Sequence, residues 1–354
     1  MGNIEESEKF IHQDVPKIEP GLESSVGPLW PPAKASSERL KGIYTLGVVR
    51  DVHDLNNIFG HLQNSDPNIS RVSLRAVVDN SFIKDIASNG DGEFIEAIIP
   101  LEGTQEAFAP TSIVYFGHNN SNRTPVTEEI EQYRRNLFDA LRIIPRSADE
   151  VLERPKADGY KISICKLPEN SSLREAILDQ VTELYARFGW GRVEVSKILF
   201  KSSNIIGIAT KDERIVSAGI AETAVIPIGS NTLRMVEITE AATRDGHDRR
   251  GVYTAVSTQL LLEIAQRSKA RNIFDGEVDV VFGECNGNAK GVLHTARIQG
   301  RTFATEVGAQ FGLSNSGILP QHVPISGAPR TTRYNDLFPA YIARNKLYEM
   351  YGKQ

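Results

Sequence analysis

The spacing of hydrophobic and polar residues separates an N-terminal arm from a first folded region. Residues 1–40 show no sustained hydrophobic period and are rich in Glu, Ser, Pro and Lys, which predicts a flexible arm. Between residues 43 and 145, runs of β-branched residues predict several strands. Apolar residues recur at intervals of three and four over 127–141, which predicts a helix. The pattern therefore predicts a small α/β domain over 43–145.

A second folded region, residues 159–350, carries a different order of elements. Two apolar runs around a four-residue polar turn predict an antiparallel hairpin over 205–222. Ser172 and Glu175 fit a capping box, which predicts the start of a helix there. Residues 289–307 are predicted to form one helical stretch. Further strands are predicted over 159–167, 232–243, 278–283 and 318–325.

The order of elements in the second region is strand, helix, hairpin, strand, helix, strand, helix and strand. Such an order predicts an α/β fold with a mixed sheet, neither all-parallel nor all-antiparallel. The polar segment 146–158, with prolines near its limits, is the predicted boundary between the two domains.

Composition and charge narrow the class of protein. The chain has 354 residues, a net charge of -5 and 40% hydrophobic residues, as expected of a folded protein and not of a general nucleic-acid binder. No apolar run approaches the roughly 18 residues of a membrane span, and the N-terminus lacks a secretory pattern. Two cysteines, Cys165 and Cys285, cannot form a disulfide framework or a metal cluster. We expect a cytoplasmic, metal-free protein, with a homodimer left open.

The strongest chemical signal lies where the strand 232–243 turns into a helix that begins at Gly251. The first amides of a helix lack intrahelical partners, and aligned peptide dipoles place about half a positive charge there. Phosphate is a natural ligand for such an end, and a glycine lets the backbone approach it. Arg249 and Arg250 add formal charge beside it. The alternative is an ordinary glycine at a helix start, without a ligand.

Two carboxylates, Glu237 and Glu240, lie in the apolar strand before this turn. Strand alternation places Glu237 with Thr239 on one face and Glu240 with Ile238 on the other. Burial among apolar neighbours raises the pKa of a carboxyl group and suits it to act as a general base near neutral pH. Either residue could be the base, and the alternative is that one is a salt-bridged or sheet-edge residue.

Residues 237–253 resemble the core motif of the GNAT superfamily of N-acetyltransferases. In that family a strand runs into an acetyl-CoA loop of pattern Arg/Gln-x-x-Gly-x-Gly/Ala. Here Gly251 matches the central glycine, whereas Asp248 replaces the usual Arg or Gln and Tyr253 replaces the last Gly or Ala. The order of elements also matches the family over 159–345. Within the family, residues 237–243 are most similar to a run in β-lysine N6-acetyltransferases.

The resemblance implies that acetyl-CoA binds without a metal and that a substrate amine attacks the thioester directly. Glu237 or Glu240 would accept the amine proton, and a strand amide near Ala242 would polarise the thioester carbonyl. The residues implied to hold the cofactor are Ala242, Thr243, Arg249, Arg250, Gly251, Val252, Tyr253 and Thr254.

The resemblance also raises the question of which group protonates the departing thiolate. Many family members use a tyrosine on the last core helix. Counting back from Gly308, the equivalent position holds Phe303 or Ala304, which leaves Tyr253, His294 or water as the proton donor.

The acceptor expected from the resemblance is a small amine or amino acid. His322 is expected near the acceptor, and Arg330 could clamp an acceptor carboxylate through paired hydrogen bonds. Two other functions remain open. One is a non-catalytic module that keeps the acetyltransferase fold, and the other is an acyltransferase for a longer chain or a carrier protein.

Overall fold

Two β-sheets organise the computed structural model of the chain. The predicted arm over residues 1–40 and Arg330 lie outside the residues that it describes. The described residues are 41–48, 55, 71–89, 94–102, 104–108, 110–119, 127–165, 170–186, 190–228, 231–273, 276–313, 316–324 and 334–352.

The smaller sheet belongs to the N-terminal region and has the strand order β1-β2-β4-β3. β1 pairs in parallel with β2, and the other two pairings are antiparallel. Helix α1, Asn80–Asn89, packs on one face of the sheet through Phe82, Ile83 and Ile86. The strands are β1 Lys41–Val48, β2 Arg71–Asp79, β3 Ile95–Pro100 and β4 Thr111–Asn119.

The larger sheet belongs to the C-terminal region and has the strand order β10-β12-β9-β8-β7-β6-β5, with β11 paired to β12. Its pairings are antiparallel except for the parallel pair β8–β9, so the predicted mixed sheet is confirmed. The strands are β5 Lys161–Ile164, β6 Ile205–Lys211, β7 Arg214–Ile228, β8 Asn231–Thr243, β9 Val280–Asn286, β10 Thr302–Phe303, β11 Leu319–Pro324 and β12 Tyr334–Ala343.

Helices cover both faces of the larger sheet. α3, α6 and α9 share a hydrophobic core with one face, whereas α4 and α5 pack on the opposite face. The helices beyond α1 are α2 Thr127–Leu141, α3 Ala148–Ala157, α4 Ser171–Tyr185, α5 Arg192–Leu199, α6 Val252–Lys269, α7 Lys290–Ile298, α8 Ala304–Gly308 and α9 Arg344–Tyr351.

The smaller sheet packs face to face on the larger one. Side chains alternate along its strands, so Val77 and Tyr115 point away from α1 and toward the larger sheet. There they share one buried cluster with Met235 of β8, Phe282 of β9 and Leu337 of β12. The smaller sheet therefore covers part of the face on which α4 and α5 also lie.

Local patterns predicted much of this order. The hairpin over 205–222, the helix over 127–141 and the strand over 232–243 are confirmed by β6–β7, α2 and β8. The segment 146–158, predicted as the boundary, contains the capped helix α3, which packs on the larger sheet through Val151 and Leu152.

Two predictions about helices are wrong. α4 is capped by Asn170, whose side chain accepts from the Ser172 amide at 2.9 Å, so the helix begins before the predicted cap. The stretch 289–307 is not one helix, because α7 ends at Ile298 and Gly300 follows with φ +70°. A left-handed glycine ends a helix at low cost, and β10 and α8 come after it.

Candidate active site

β8 and β9 pair over a short length and then separate. Their parallel ladder joins Met235–Glu237 to Val280–Phe282 and goes no further. On its other side β8 carries a bulge, since Thr239 pairs with Ile220 and Ala242 with Ala218, so that Glu240 and Ala241 both lie opposite Gly219. A bulge bends the strand and interrupts its regular pairing. The separated strands leave space between β8 and β9.

A channel occupies this space, and it has an inner and an outer cavity. The inner cavity has a volume of about 240 Å³ and lies between β8 and β9, beside α6 and α7. The outer cavity has a volume of about 250 Å³ and lies at the start of α6. Both cavities are lined by Ala241, Tyr253, Ala289, Val292 and Thr295, so the two are adjacent, and we call them together the channel.

The outer cavity has the backbone geometry of an anion site. Gly251 precedes α6 with φ +75°, and no side chain of the described residues caps the helix. Apart from Gly251 and its chain neighbours, the described residues place no atom within 4 Å of the point that a Cβ would occupy there. The first bond of the helical ladder runs from the Ala255 amide to the Gly251 carbonyl at 3.0 Å. The amides of residues 252–254 are therefore left without an intrahelical acceptor. Arg249, with φ +60°, and Val252 also line this cavity.

The charge around the outer cavity is positive. His247 lines the cavity, and its Nδ1 lies 3.0 Å from the Tyr160 hydroxyl. Burial lowers the pKa of His247 below its ordinary value, and the nearby cations Lys211, Arg250 and Arg244 lower it further. The Asp248 carboxylate also lines the cavity and raises the pKa of His247, but the three cations outnumber it, and their net positive charge favours an anionic ligand.

The inner cavity meets a buried charged cluster contributed by both sheets. Glu284 of β9 lines the cavity and forms an ion pair with Arg75 of β2. The Arg75 guanidinium carbon lies 4.9 Å from the Tyr115 ring centroid and 5.7 Å from that of Phe282. Burial alone would lower the pKa of Arg75, but Glu284, Tyr115 and Glu237 raise it above its ordinary value. Glu237 therefore lies within electrostatic reach of a cluster at the sheet interface.

Tyr115 closes this cluster from the smaller sheet. Burial raises the pKa of Tyr115 well above its ordinary value, and the carboxylates of Glu284 and Glu237 raise it further. Its hydroxyl lies near Glu284 but makes no hydrogen bond of ordinary geometry. The phenol stays neutral, so it adds polarity to the cluster without adding charge.

A second buried arginine, Arg301, lines the inner cavity from the side of α6 and α7. It is 3% exposed, and its Nη2 donates to the Ser257 hydroxyl at 3.3 Å. Its Nη1 lies against Gly283, where a Cβ would be 3.1 Å from Nη1 and 2.8 Å from the Ile238 carbonyl oxygen. Arg301 thus lies beside the point at which β8 and β9 separate.

The structure places the predicted cofactor residues together along the outer half of the channel. Ala242 and Thr243 end β8, and the Ala242 carbonyl accepts from the Ser217 hydroxyl at 2.8 Å. Tyr253 on the first turn of α6 lines both cavities, and Thr254 bonds to Thr295 of α7 at 2.7 Å between hydroxyl oxygens. Arg250 is exposed beside them and is not among the lining residues.

The structure describes only some of the residues predicted to bind the acceptor or to transfer protons. The side chains of Glu240 and His322 lie outside the part of the chain that the structure describes. Phe303 lies in β10 and Ala304 begins α8, so neither occupies the helix that lines the channel, and that assignment is wrong. The assignment failed because the helix ends before Gly300, so residues 303 and 304 do not belong to it. His294 is on α7, where burial lowers its pKa and leaves Nε2 without a hydrogen-bond partner.

Three residues at the inner cavity were not singled out from the sequence: Arg75, Glu284 and Arg301. Arg75 and Glu284 are separated by 209 positions, so no local pattern connects them. Glu284 did leave a signal, because it is a carboxylate in an otherwise apolar strand, as Glu237 is. Arg301 was hidden inside the long helix predicted over 289–307.

Among the described helices, none has the length and hydrophobicity needed to cross a membrane. The described residues also contain no group of three or more His, Cys, Asp or Glu arranged to hold a metal ion.

Comparisons with known proteins give similarity in structure only. No family model and no curated protein sequence matches the chain. A ribosomal-protein-S18-alanine N-acetyltransferase from Escherichia coli is similar with a TM-score of 0.36 and 12% identity, over 52% of this chain and 94% of that one. Arabidopsis thaliana NAA60 in complex with acetyl-CoA has a TM-score of 0.38 and 10% identity, over 52% and 99%. An N-acetyltransferase from Staphylococcus aureus Mu50 has a TM-score of 0.34 and 12% identity, over 52% of this chain and 99% of that one.

Proposed function

We propose that this chain is a GNAT-type N-acyltransferase that moves an acetyl group from acetyl-CoA to an amine. The observation that carries the proposal is the channel between β8 and β9. One end has the first turn of α6 with Arg249 beside it, and the other has the Glu284 carboxylate at a buried cluster. An elongated ligand with an anionic end and a reactive end fits such a channel.

The outer cavity would hold the diphosphate of the cofactor. The amides of residues 252–254 would donate to the phosphate oxygens, and the left-handed Gly251 leaves room for the ligand. Arg249 and Arg250 would add charge, and Ala242 and Thr243 would flank the ligand where β8 ends. Bound acetyl-CoA would supply an activated acyl group at the inner end of the channel.

The inner cavity would hold the reacting groups. A backbone amide at the bulge, near Ala242, is suited to polarise a thioester carbonyl, because a bulge leaves backbone groups outside the ladder. Glu237 would accept the amine proton, directly or through water, with Glu240 as the alternative base. Tyr253, which lines both cavities, would return a proton to the departing sulfur.

The proposed acceptor is a small amine, such as an amino acid. Glu284 lines the inner cavity, and Glu237 lies within electrostatic reach of its partner Arg75. The two carboxylates would attract an ammonium group. His322 and Arg330 would contribute to the acceptor site, Arg330 by holding a carboxylate.

The test combines calorimetry with a turnover assay. We expect acetyl-CoA to bind the folded protein and to acetylate at least one member of a panel of small amines and amino acids. Binding with no turnover on small amines or peptide N-termini would favour a non-catalytic module. Preferential binding of longer acyl-CoAs would redirect the proposal to another acyl group. A folded protein that binds no acyl-CoA would contradict the proposal.

A further inference from the structure

The channel carries opposite charges on its two sides. Glu284 lines the inner cavity and pairs with Arg75 of the smaller sheet. Arg301 lines the same cavity, with its guanidinium against Ser257 of α6. A reacting group at the inner end would lie between carboxylates on one side and a guanidinium on the other.

The hydrogen bonding of Arg301 is incomplete for a buried charge. Among the described residues, its guanidinium donates to the neutral Ser257 hydroxyl at 3.3 Å, and its Nε has no hydrogen-bond partner. Ser257 is in turn tied to Gln299, which donates to Thr258 at 3.2 Å. Burying a guanidinium is costly unless an anion or several acceptors compensate. The neutral network fixes the position of Arg301 without balancing its charge.

We propose that Arg301 stabilises the negative charge that develops on the cofactor sulfur during acyl transfer. The inference rests on the proposed function and assigns a catalytic residue to it. The amine nitrogen forms a bond to the acyl carbon, the carbon–sulfur bond breaks, and its electron pair stays on sulfur. The amine proton goes to a carboxylate, and the guanidinium pairs with the thiolate until that sulfur takes up a proton from Tyr253 or from water.

The position of Arg301 suits this role because α7 offers no acid to the channel. The α7 residues that line the inner cavity are Val292, Thr295 and Ala296. A guanidinium lowers the need for immediate protonation, since it stabilises a thiolate by charge and by hydrogen bonds. Its charge is constant across the working pH range, because arginine does not lose its proton in proteins.

The other titratable groups near Arg301 do not change charge in the range of the test. Cys285 of β9 and Tyr351 of α9 both lie within electrostatic reach of Arg301. Burial raises the pKa of Cys285 to about 11 and raises that of Tyr351 above its ordinary value, so both are neutral between pH 7 and 9. Tyr253 and Glu284 line the same cavity and are present in every variant below.

The test compares binding of CoA with binding of desulfo-CoA, which lacks the thiol, at pH 7 and pH 9. An unperturbed thiol has a pKa of about 8.5, so a site that favours thiolate binds CoA progressively more tightly as pH rises. We expect wild-type protein to prefer CoA over desulfo-CoA by about tenfold at pH 9, the effect of one charge-assisted hydrogen bond. The preference at pH 7 should be smaller.

Variants assign the preference to Arg301. Arg301→Met should abolish the preference for CoA at pH 9 while binding desulfo-CoA as wild type does, and Arg301→Lys should keep part of it. Arg267→Met is the matched control, because Arg267 lies in the last turn of α6, pairs with Glu263 at 2.6 Å and does not line the channel. It should keep the whole preference.

The outcomes separate this inference from the proposed function. A wild-type preference that does not change with pH overturns the role of Arg301, whatever the variants do. An unchanged preference in Arg301→Met overturns it as well. Failure of wild-type protein to bind either CoA or desulfo-CoA would instead overturn the proposed function.

Discussion

Glu237 is the last residue of β8 that pairs with β9, and the two strands separate beyond it. Its side chain is half-buried and within electrostatic reach of Arg75 and Tyr115. A carboxylate in such a place can accept a proton from an amine that enters the inner cavity. The strand sequence pointed to Glu237 and Glu240 together, and the bulge in β8 lies after Glu237, with Glu240 and Ala241 opposite Gly219.

The prediction at this scale concerns the base. Glu237→Gln should lower kcat by about 10²- to 10⁴-fold, the usual contribution of a general base. Glu240→Gln should leave kcat near that of wild type, because Glu237 is the carboxylate that lies within electrostatic reach of Arg75 and Tyr115. Steady-state kinetics with saturating acetyl-CoA measure both. Equal and mild effects would remove both residues from the mechanism, and the reverse order would make Glu240 the base.

The strand, loop and helix from β8 to α6 form the element that defines the outer cavity. Its strand, its glycine and its helix follow from local pattern, because the apolar run, the turn residues and the helical stripe are all short-range signals. The bulge and the separation of β8 from β9 do not, since they depend on which strands become neighbours. The sequence alone therefore indicated the residues of the proposed anion-binding end. The inner cavity could not be predicted from it, because that cavity depends on which strands are neighbours in the folded sheet.

Two left-handed glycines in this loop provide a matched pair of variants. Gly251, with φ +75°, lines the outer cavity, whereas Gly246, with φ +82°, does not. Either glycine changed to alanine should lower the free energy of unfolding by about 1–2 kcal/mol, because alanine disfavours positive φ. Gly251→Ala alone should also weaken acetyl-CoA binding, by about tenfold. Calorimetry and urea denaturation separate the two effects, and equal affinity in both variants would exclude residue 251 from the cofactor site.

At the scale of the whole molecule, the smaller sheet is joined to the larger one by an apolar interface that contains one buried ion pair. Val77 and Tyr115 pack against Met235 and Phe282, and the Arg75–Glu284 pair lies beside them. The side chains of the pair are 13% and 11% exposed. Alternation along a strand separates its two faces, but no pattern within one sheet indicates which other sheet it meets.

The prediction at this scale is a coupling between the two sheets. Arg75→Met should lower the free energy of unfolding by about 3–5 kcal/mol, because it leaves the Glu284 carboxylate buried without its cation. Adding Glu284→Gln should recover most of that loss, since the double variant buries no charge at this pair. Urea denaturation provides the four values of the double-mutant cycle.

An exposed arginine provides the control for this cycle. Arg192, which pairs with Glu175 and Asp179, is 45% exposed, so Arg192→Met should cost no more than about 1 kcal/mol. If the double variant of Arg75 and Glu284 loses as much free energy of unfolding as the two single variants together, the pair does not couple the sheets.

The most direct test of the acyltransferase proposal is a crystal structure of the protein with CoA. We expect the diphosphate on the amides of residues 252–254, the pantetheine chain between β8 and β9, and the thiol at the inner cavity near Arg301 and Glu284. CoA bound elsewhere, or a diphosphate away from the start of α6 with the space between β8 and β9 empty, would contradict the proposal.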